Sequence, residues 1–339
     1  MNKRLRVGLI GAGAIGLVHL SGFSKNVNCE LVAIASRTEE HAKAAANRFN
    51  IPKIFVGEGW KDMLKNENLD IVSICTPNYL HTPNILEALR NDIHILCEKP
   101  ICTSREELDI VEKEIKKTNL VFFTAFNKRY LSLFPIVKKI IEQNVLGKII
   151  LARYNFAHLG PYTSHQALSK ERWFFDSEKA GGGVLLDLGV HSIDLFRYLI
   201  DDYEKVEGIS ANTSCVDMSN EDNCNVLFRF QNNALGIISV SWCNNPSELI
   251  EIFGIRGSIK IDLINRKLFS FTPHSLKDNK YILEAKKHKI SEQGTHHGLI
   301  DHFVNCVLEN RNEHPNFDDG KKAVEFVLDS YLLKQKYIG

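Results

Sequence analysis

The chain has 339 residues, of which 44% are hydrophobic and 24% charged, with a net charge of +1. That length exceeds what one hydrophobic core usually serves, so two domains are expected. The near-neutral balance excludes a basic field for nucleic acid and an acidic tail, and no run approaches the roughly 20 apolar residues of a membrane span.

From residue 5, short apolar runs alternate with amphipathic stretches. The order is LRVGLI, a helix to about 25, ELVAIAS, a helix over 38–49, DIVSICT, a helix over 83–91, DIHILCE, a helix over 104–117, and LVFFTA. Continuous rather than alternating apolarity marks strands covered on both faces, so residues 1–124 read as an α/β domain on a doubly wound parallel sheet. The start MNKRLRVGLIGAGAIGLVHL has the basic and apolar character of a secretory leader. Its glycines at 8, 11, 13 and 16 instead belong to a strand and turn, and His19 interrupts the apolar run. Eight widely spaced cysteines form no CxxC pair, and Cys75 and Cys97 sit in apolar runs. Reduced thiols and a cytoplasmic location are the expectation.

After a helix near 131–143 the period changes to long strands at GKIILARYNFAH, EKVEGISANTSCV, NCNVLFRFQ, ALGIISVSW, ELIEIFGI and GSIKIDL. Helices over about 297–310 and 319–336 close the chain. Residues 125–339 are therefore read as an α+β domain on a large open, mostly antiparallel sheet. Two or three helices cannot cover that much sheet, and a homodimer or homotetramer joined through it is expected.

Four strand ends carry candidate cofactor residues. Gly11, Gly13 and Gly16 form GAGAIG directly after LRVGLI, with Ala14 and Ile15 between them. Absent side chains permit a tight turn, close approach to a pyrophosphate and close helix packing, with the phosphate on the helix N-terminus. The next strand ends at Ser36-Arg37, where a NAD-preferring fold often places an acidic residue for the ribose 2′-hydroxyl. A small hydroxyl followed by a guanidinium suits a 2′-phosphate, so NADP(H) is favoured with NAD(H) as the alternative. The third end carries Thr76, Pro77 and Asn78 with His81 soon after, placed to line a nicotinamide-ribose pocket. The fourth is Glu98-Lys99-Pro100, with Lys99 directed to the same crevice.

Acid–base chemistry is read from GGGVLLDLGVHSIDLF at 181–196. Asp187 precedes His191 by four residues, a spacing that puts carboxylate and imidazole on one helical face. The same spacing also suits an ordinary helix start. Asn127 and Arg129 with Lys128, then Arg153, His158, Trp173 and Trp242, are further candidates for substrate contact, with packing as the competing explanation for each. No ligand cluster with zinc spacing is visible, and no metal is expected.

Taken with ASR, CTPNYLHTP, AFNKRY, IEIFGIRGSI and NFDDGKKAVEFVLDSY, the combination of CEKP with GGG and DxGxHxxD closely resembles the glucose–fructose oxidoreductase, inositol dehydrogenase and rhizopine-catabolism oxidoreductase (Gfo/Idh/MocA) family. The resemblance spans almost the whole chain. It implies a Rossmann domain followed by a domain on an open sheet whose exposed face makes dimers or tetramers. It further implies that Lys99 contacts the substrate oxygen and the nicotinamide ribose, that His191 is the acid/base paired with Asp187, and that Lys99–Pro100 is a cis bond. The implied activity is nicotinamide-dependent oxidation of a secondary alcohol of a polyol, sugar or sugar derivative, or reduction of the matching ketone. The alternatives within the same resemblance are a glycosidase using transient oxidation and a catalytically inactive ligand-binding relative.

Overall fold

The computed structural model describes residues 4–160, 173–214, 219–271, 280, 287–288 and 295–337. It divides into two compact units, residues 1–127 with 294–321 and residues 128–293 with 322–339.

In the first unit, β1 (Leu5–Ile10), β2 (Cys29–Ser36), β3 (Lys53–Val56), β4 (Ile71–Ile74), β5 (His94–Cys97) and β6 (Phe122–Thr124) form a six-stranded sheet ordered 3-2-1-4-5-6. Every pair in it is parallel. Helices α1 (Ala14–Lys25), α2 (Glu39–Phe49), α3 (Trp60–Asn66), α4 (His81–Arg90) and α5 (Arg105–Ile115) connect the strands. Val7, Leu9, Ile34, Ile71, Ile74 and Leu96 are buried, as strands covered on both faces require. Two elements carry only short apolar runs, IFV at 54–56 and ML at 63–64. β3 is an edge strand and is largely exposed, and α3 follows it after a short turn. At the start of α5, Ser104 accepts from the Glu107 backbone N–H at 3.2 Å, while Glu107 Oε2 accepts from the Thr103 backbone N–H at 2.7 Å. That reciprocal cap fixes where the helix begins.

The second unit holds α6 (Phe134–Glu142), β7 (Ile149–Ala157), α7 (Ser177–Ala180), α8 (Val190–Leu199) and β8 (Tyr203–Asn212). It continues with β9 (Asn223–Phe230), β10 (Leu235–Ser241), β11 (Ser247–Gly254), β12 (Gly257–Asp262) and β13 (Lys267–Phe271). The seven strands are ordered 13-12-11-7-10-9-8. Only β7 and β10 pair in parallel, and the other neighbours are antiparallel. The last residues of the expected strand at 204–216, positions 215 and 216, lie outside the described residues. One face packs an aromatic core in which Phe196 of α8 meets Tyr154 at 5.9 Å and Phe230 at 5.8 Å between ring centroids.

Helices α9 (Thr295–Leu308) and α10 (Phe317–Tyr337) end the chain. Here the structure differs from the expected division, which assigned everything after 124 to the second domain, because residues 294–321 pack with the first unit. Gly22 of α1 explains the fit: a Cβ there would stand 2.3 Å from Ile300 Cδ1. Phe303 of α9 meets Phe123 at 5.3 Å between centroids, and Asn26 Nδ2 donates to Asp301 Oδ1 at 2.7 Å.

Candidate active site

The first unit gathers the cofactor candidates at the carboxyl ends of β1, β2, β4 and β5. Gly11 has φ +104 and a Cβ there would lie 2.4 Å from Cys75 O, so the β1 and β4 ends touch backbone to backbone. A Cβ on Gly16 would lie 2.0 Å from Gly11 O, which ties the helix to the turn. Gly13 differs, because a Cβ there would meet nothing within 4 Å. Its open side, with Ala14 exposed and Ile15 half-buried at the start of α1, is the cradle a pyrophosphate requires.

Ser36 is buried at the end of β2 and Arg37 beyond it is exposed. Thr76, Pro77 and Asn78 are half-buried after β4, and Thr76 Oγ1 donates to Asn84 Oδ1 at 3.0 Å. His81 is 1% exposed, and its nitrogens lie 2.7 Å from Pro100 O and 2.8 Å from Thr76 O. Both nitrogens are engaged by backbone, which leaves none for a ribose hydroxyl. Burial, the largest influence, pulls its pKa below the ordinary histidine value despite the upward pull of the Pro100 and Thr76 carbonyls. The contacts argue the other way, because both ring nitrogens face carbonyl oxygens and a neutral ring would set a lone pair against one of them. Glu98 also turns inward, onto His19 at 3.0 Å, rather than toward a ligand. Lys99 between them is half-buried, and Lys99–Pro100 is cis.

Burial opposes a charge on His19, but the Cys75 sulfur and the Glu98 carboxylate outweigh it and push its pKa up to about 10. A raised folded pKa stabilises the fold fully below the ordinary histidine value of about 6.5. That contribution is lost as pH rises through about 10. Urea unfolding from pH 7 to 10 should therefore show the wild type losing its advantage over His19→Gln as pH rises. A constant difference would refute the charge.

In the second unit the glycine triplet makes room for protein rather than ligand. Gly181 has φ +78 and ends α7. A Cβ on Gly182 would stand 2.6 Å from Tyr331 Oη, and one on Gly183 would stand 2.1 Å from Glu221 O. Glu221 Oε1 accepts from the Leu185 backbone N–H at 3.0 Å and from Tyr331 Oη at 2.7 Å, which anchors the start of the next segment.

That segment is not the plain α-helix the spacing suggests. Leu185–Gly189 is π-helical and α8 begins at Val190, so Asp187 lies in the wider turn and His191 in the regular helix. Single π turns within α-helices concentrate at functional sites. From 183 to 196 every residue is buried except Asp187 and His191, both half-buried. Asp187 Oδ2 accepts from Trp242 Nε1 at 3.1 Å.

Trp242 is 1% exposed and thus orients Asp187 from beneath instead of lining a pocket. It follows β10, while His158 follows its parallel neighbour β7, and Gly160 N–H donates to His158 Nδ1 at 2.7 Å. Gly160 sits over the Trp242 ring.

Other expected contacts move elsewhere. Arg129 is buried against Asp194, with Nε–Oδ2 at 2.9 Å and Nη2–Oδ1 at 2.5 Å, so packing prevails there over substrate contact. Arg153 is exposed, on the opposite face of β7 from Tyr154, which packs on α8. Its guanidinium lies 5.6 Å from the Phe253 ring centroid. Strand alternation puts it away from the Asp187 helix. Trp173 stacks on Phe174 at 3.8 Å. Asn127 belongs to the first unit, where Nδ2 donates to Thr295 Oγ1 at 3.3 Å.

A doubly wound parallel sheet with a glycine cradle at the carboxyl ends of its strands, followed in the same chain by an open-sheet unit, is the architecture of a dinucleotide-dependent oxidoreductase. Residues 5–126 match the oxidoreductase family with NAD-binding Rossmann fold, and residues 134–260 match the GFO/IDH/MocA C-terminal domain. The chain belongs to the GFO/IDH/MocA family, whose members of this kind are dehydrogenases and reductases of CH–OH groups.

It is 26% identical over 266 residues to myo-inositol 2-dehydrogenase of Thermotoga maritima, covering 76% of this chain and 75% of that one. It is 27% identical over 357 residues to glucose-6-phosphate 3-dehydrogenase of Bacillus subtilis, covering 97% and 96%. A solved levoglucosan dehydrogenase in complex with NADH and L-sorbose superimposes with a TM-score of 0.84 at 25% identity, over 97% of each chain. Among the described residues no helix is long and apolar enough to cross a membrane.

Proposed function

We propose that the protein oxidises a secondary alcohol of a polyol, sugar or sugar derivative, or reduces the matching ketone. The observation that carries this reading is the isolation of Asp187 and His191 as the two accessible side chains of an otherwise buried run, with Asp187 held by an indole N–H. A nicotinamide bound through the glycine cradle would supply the acceptance or donation of hydride. His191 takes the hydroxyl proton during oxidation and returns it during reduction. Asp187, oriented by Trp242, stabilises the charged imidazole. Lys99 supports the developing alkoxide by its positive charge. The relatives named above, an inositol and a sugar-phosphate dehydrogenase, support the substrate class. The test is a panel of polyols, free sugars, nucleotide sugars and nitrophenyl glycosides, read for nicotinamide absorbance and released aglycone together. Stoichiometric absorbance change with product is expected. Aglycone release without net absorbance change would assign a glycosidase, and binding without turnover a ligand-binding relative.

The buried Ser36 and exposed Arg37 after β2 favour NADP(H) binding at least as tight as NAD(H). Thr38 Oγ1, buried beside them without a hydrogen-bond partner in the described structure, offers a further hydroxyl to the adenosine end. Arg37→Ala should weaken NADP(H) more than NAD(H) in parallel titrations. Tighter NAD(H) binding that ignores the mutation would reject the preference.

The open sheet supports self-association. Leu151, Leu235, Ile237, Leu249 and Phe253 are only half-buried on the face opposite the aromatic core, and Leu227 is 39% exposed there. Light scattering should find a homodimer or homotetramer; a stable dilute monomer of 38.5 kDa would exclude it. Buried cysteine thiols at 29, 75, 97, 102, 224 and 306 support a reducing, cytoplasmic setting.

A further inference from the structure

Two buried histidines grip the turn Glu98–Lys99–Pro100 from its two ends. His19 of α1, 0% exposed, places Nε2 at 3.0 Å from Glu98 Oε1 and Nδ1 at 2.8 Å from Ser73 Oγ. The second Glu98 oxygen accepts from the Lys99 backbone N–H at 3.2 Å. One imidazole thus reaches the Lys99 main chain through one carboxylate. At the other end His81 of α4 bridges Pro100 O and Thr76 O. Carbonyls only accept, so that bridge consists of two hydrogen bonds when both ring nitrogens carry protons.

The pairing also sets the charge around Lys99. A buried carboxylate one residue from an ammonium would compete with any ligand oxygen for it. His19 contributes more to holding Glu98 ionised than Lys99 does. The carboxylate therefore has its own counter-ion inside the unit, rooted in a different element from the turn it anchors.

We propose that His19 and His81 are positioning residues for Lys99: His19 donates to Glu98 and fixes the turn before the lysine, and His81 donates from both nitrogens and fixes it after. The kinetic part rests on the dehydrogenase reading; the hydrogen-bonding part does not. His19, Glu98 and His296 each also turn a ligand-capable atom into a space where these atoms lie within 4.8 Å of one another. A cation held there would take the lone pair that the proposal assigns to a proton.

The experiment begins with ring-¹⁵N spectra of the wild-type full chain at pH 7, assigned by His19→Gln and His81→Phe. The expected spectra show both nitrogens of His19 and both nitrogens of His81 protonated. A neutral His81 ring, or a zinc equivalent that is retained on purification and lost in His296→Ala, would overturn the proposal whatever the substrate. In turnover, each variant should lose about 10- to 100-fold in kcat, the scale of a misplaced catalytic group, with cofactor affinity kept. Adding Glu98→Gln to His19→Gln should recover part of that loss by removing the unpaired buried carboxylate. Purely additive losses would overturn the positioning role, and cofactor binding by each variant separates misplacement from misfolding. If the wild type turns over no member of the panel, the dehydrogenase reading fails while the spectra still decide the hydrogen bonding.

Discussion

Replacing His191 with alanine should lower turnover by about 10²- to 10⁴-fold, the usual share of acid–base catalysis. The loss should fall on kcat, because the imidazole acts on a proton that moves only in the reaction and contributes little to binding the nicotinamide. Folding should be spared, since His191 is half-buried while Val190, Ile193 and Leu195 supply the packing of α8. Lys99→Ala should cost about 10²–10³ by removing charge stabilisation of a developing alkoxide. Trp242→Phe should give a smaller loss, as it keeps the ring in its buried place but removes the N–H that orients Asp187. The measurement is steady-state kinetics on whichever substrate the panel identifies, with cofactor titration alongside. Undiminished turnover in His191→Ala would remove the residue from the mechanism.

Asp194→Ala should destabilise the protein by about 3–5 kcal/mol, because it leaves the Arg129 guanidinium buried without its bidentate partner. The side chains of Arg129 and Asp194 are 7% and 2% exposed, so water cannot replace the lost carboxylate. A drop of roughly 6–20 °C in the unfolding midpoint of the second unit corresponds to that range. The double variant Arg129→Met/Asp194→Leu should recover most of it, since an apolar pair of similar volume replaces two charges that each required a partner. Calorimetry on the single and double variants decides the matter. A single variant with an unchanged midpoint would show that the pair contributes nothing.

The architecture was legible wherever a periodicity was unbroken. Continuous apolar runs identify β1, β2, β4, β5 and β6, and the long runs after residue 146 identify β7–β12 but not the short β13. The edge strand β3 escaped because its apolar run, IFV at 54–56, is only three residues long, and the packing of 294–321 with the first unit escaped because a contact such as Gly22 with Ile300 has no local signature. The motif residues show the same limit. Gly11 and Gly16 serve the backbone contacts their absent side chains imply, whereas Gly182 and Gly183 make way for Tyr331 and Glu221, partners too distant in sequence to foresee. Residue type and position after strand ends made His81, Arg129 and Trp242 candidates for ligand contact. Their burial and partners turn all three inward, and only strand parity was available to place Arg153 on the outer face. His19 was visible merely as an interruption in an apolar helix. Ser73 within IVSIC was the matching polar interruption on the strand it packs against.

The return of 294–321 to the first unit has a consequence for synthesis of the chain. The parallel sheet is complete once residue 124 has emerged, yet the helix that seats Ile300 against Gly22 is encoded beyond residues 128–293. At ordinary elongation rates that interval lasts on the order of 10–30 s. Throughout it the nascent sheet presents Gly22 and Phe123 without their cover, so the first-made half of the protein cannot be finished until nearly the whole chain has been made.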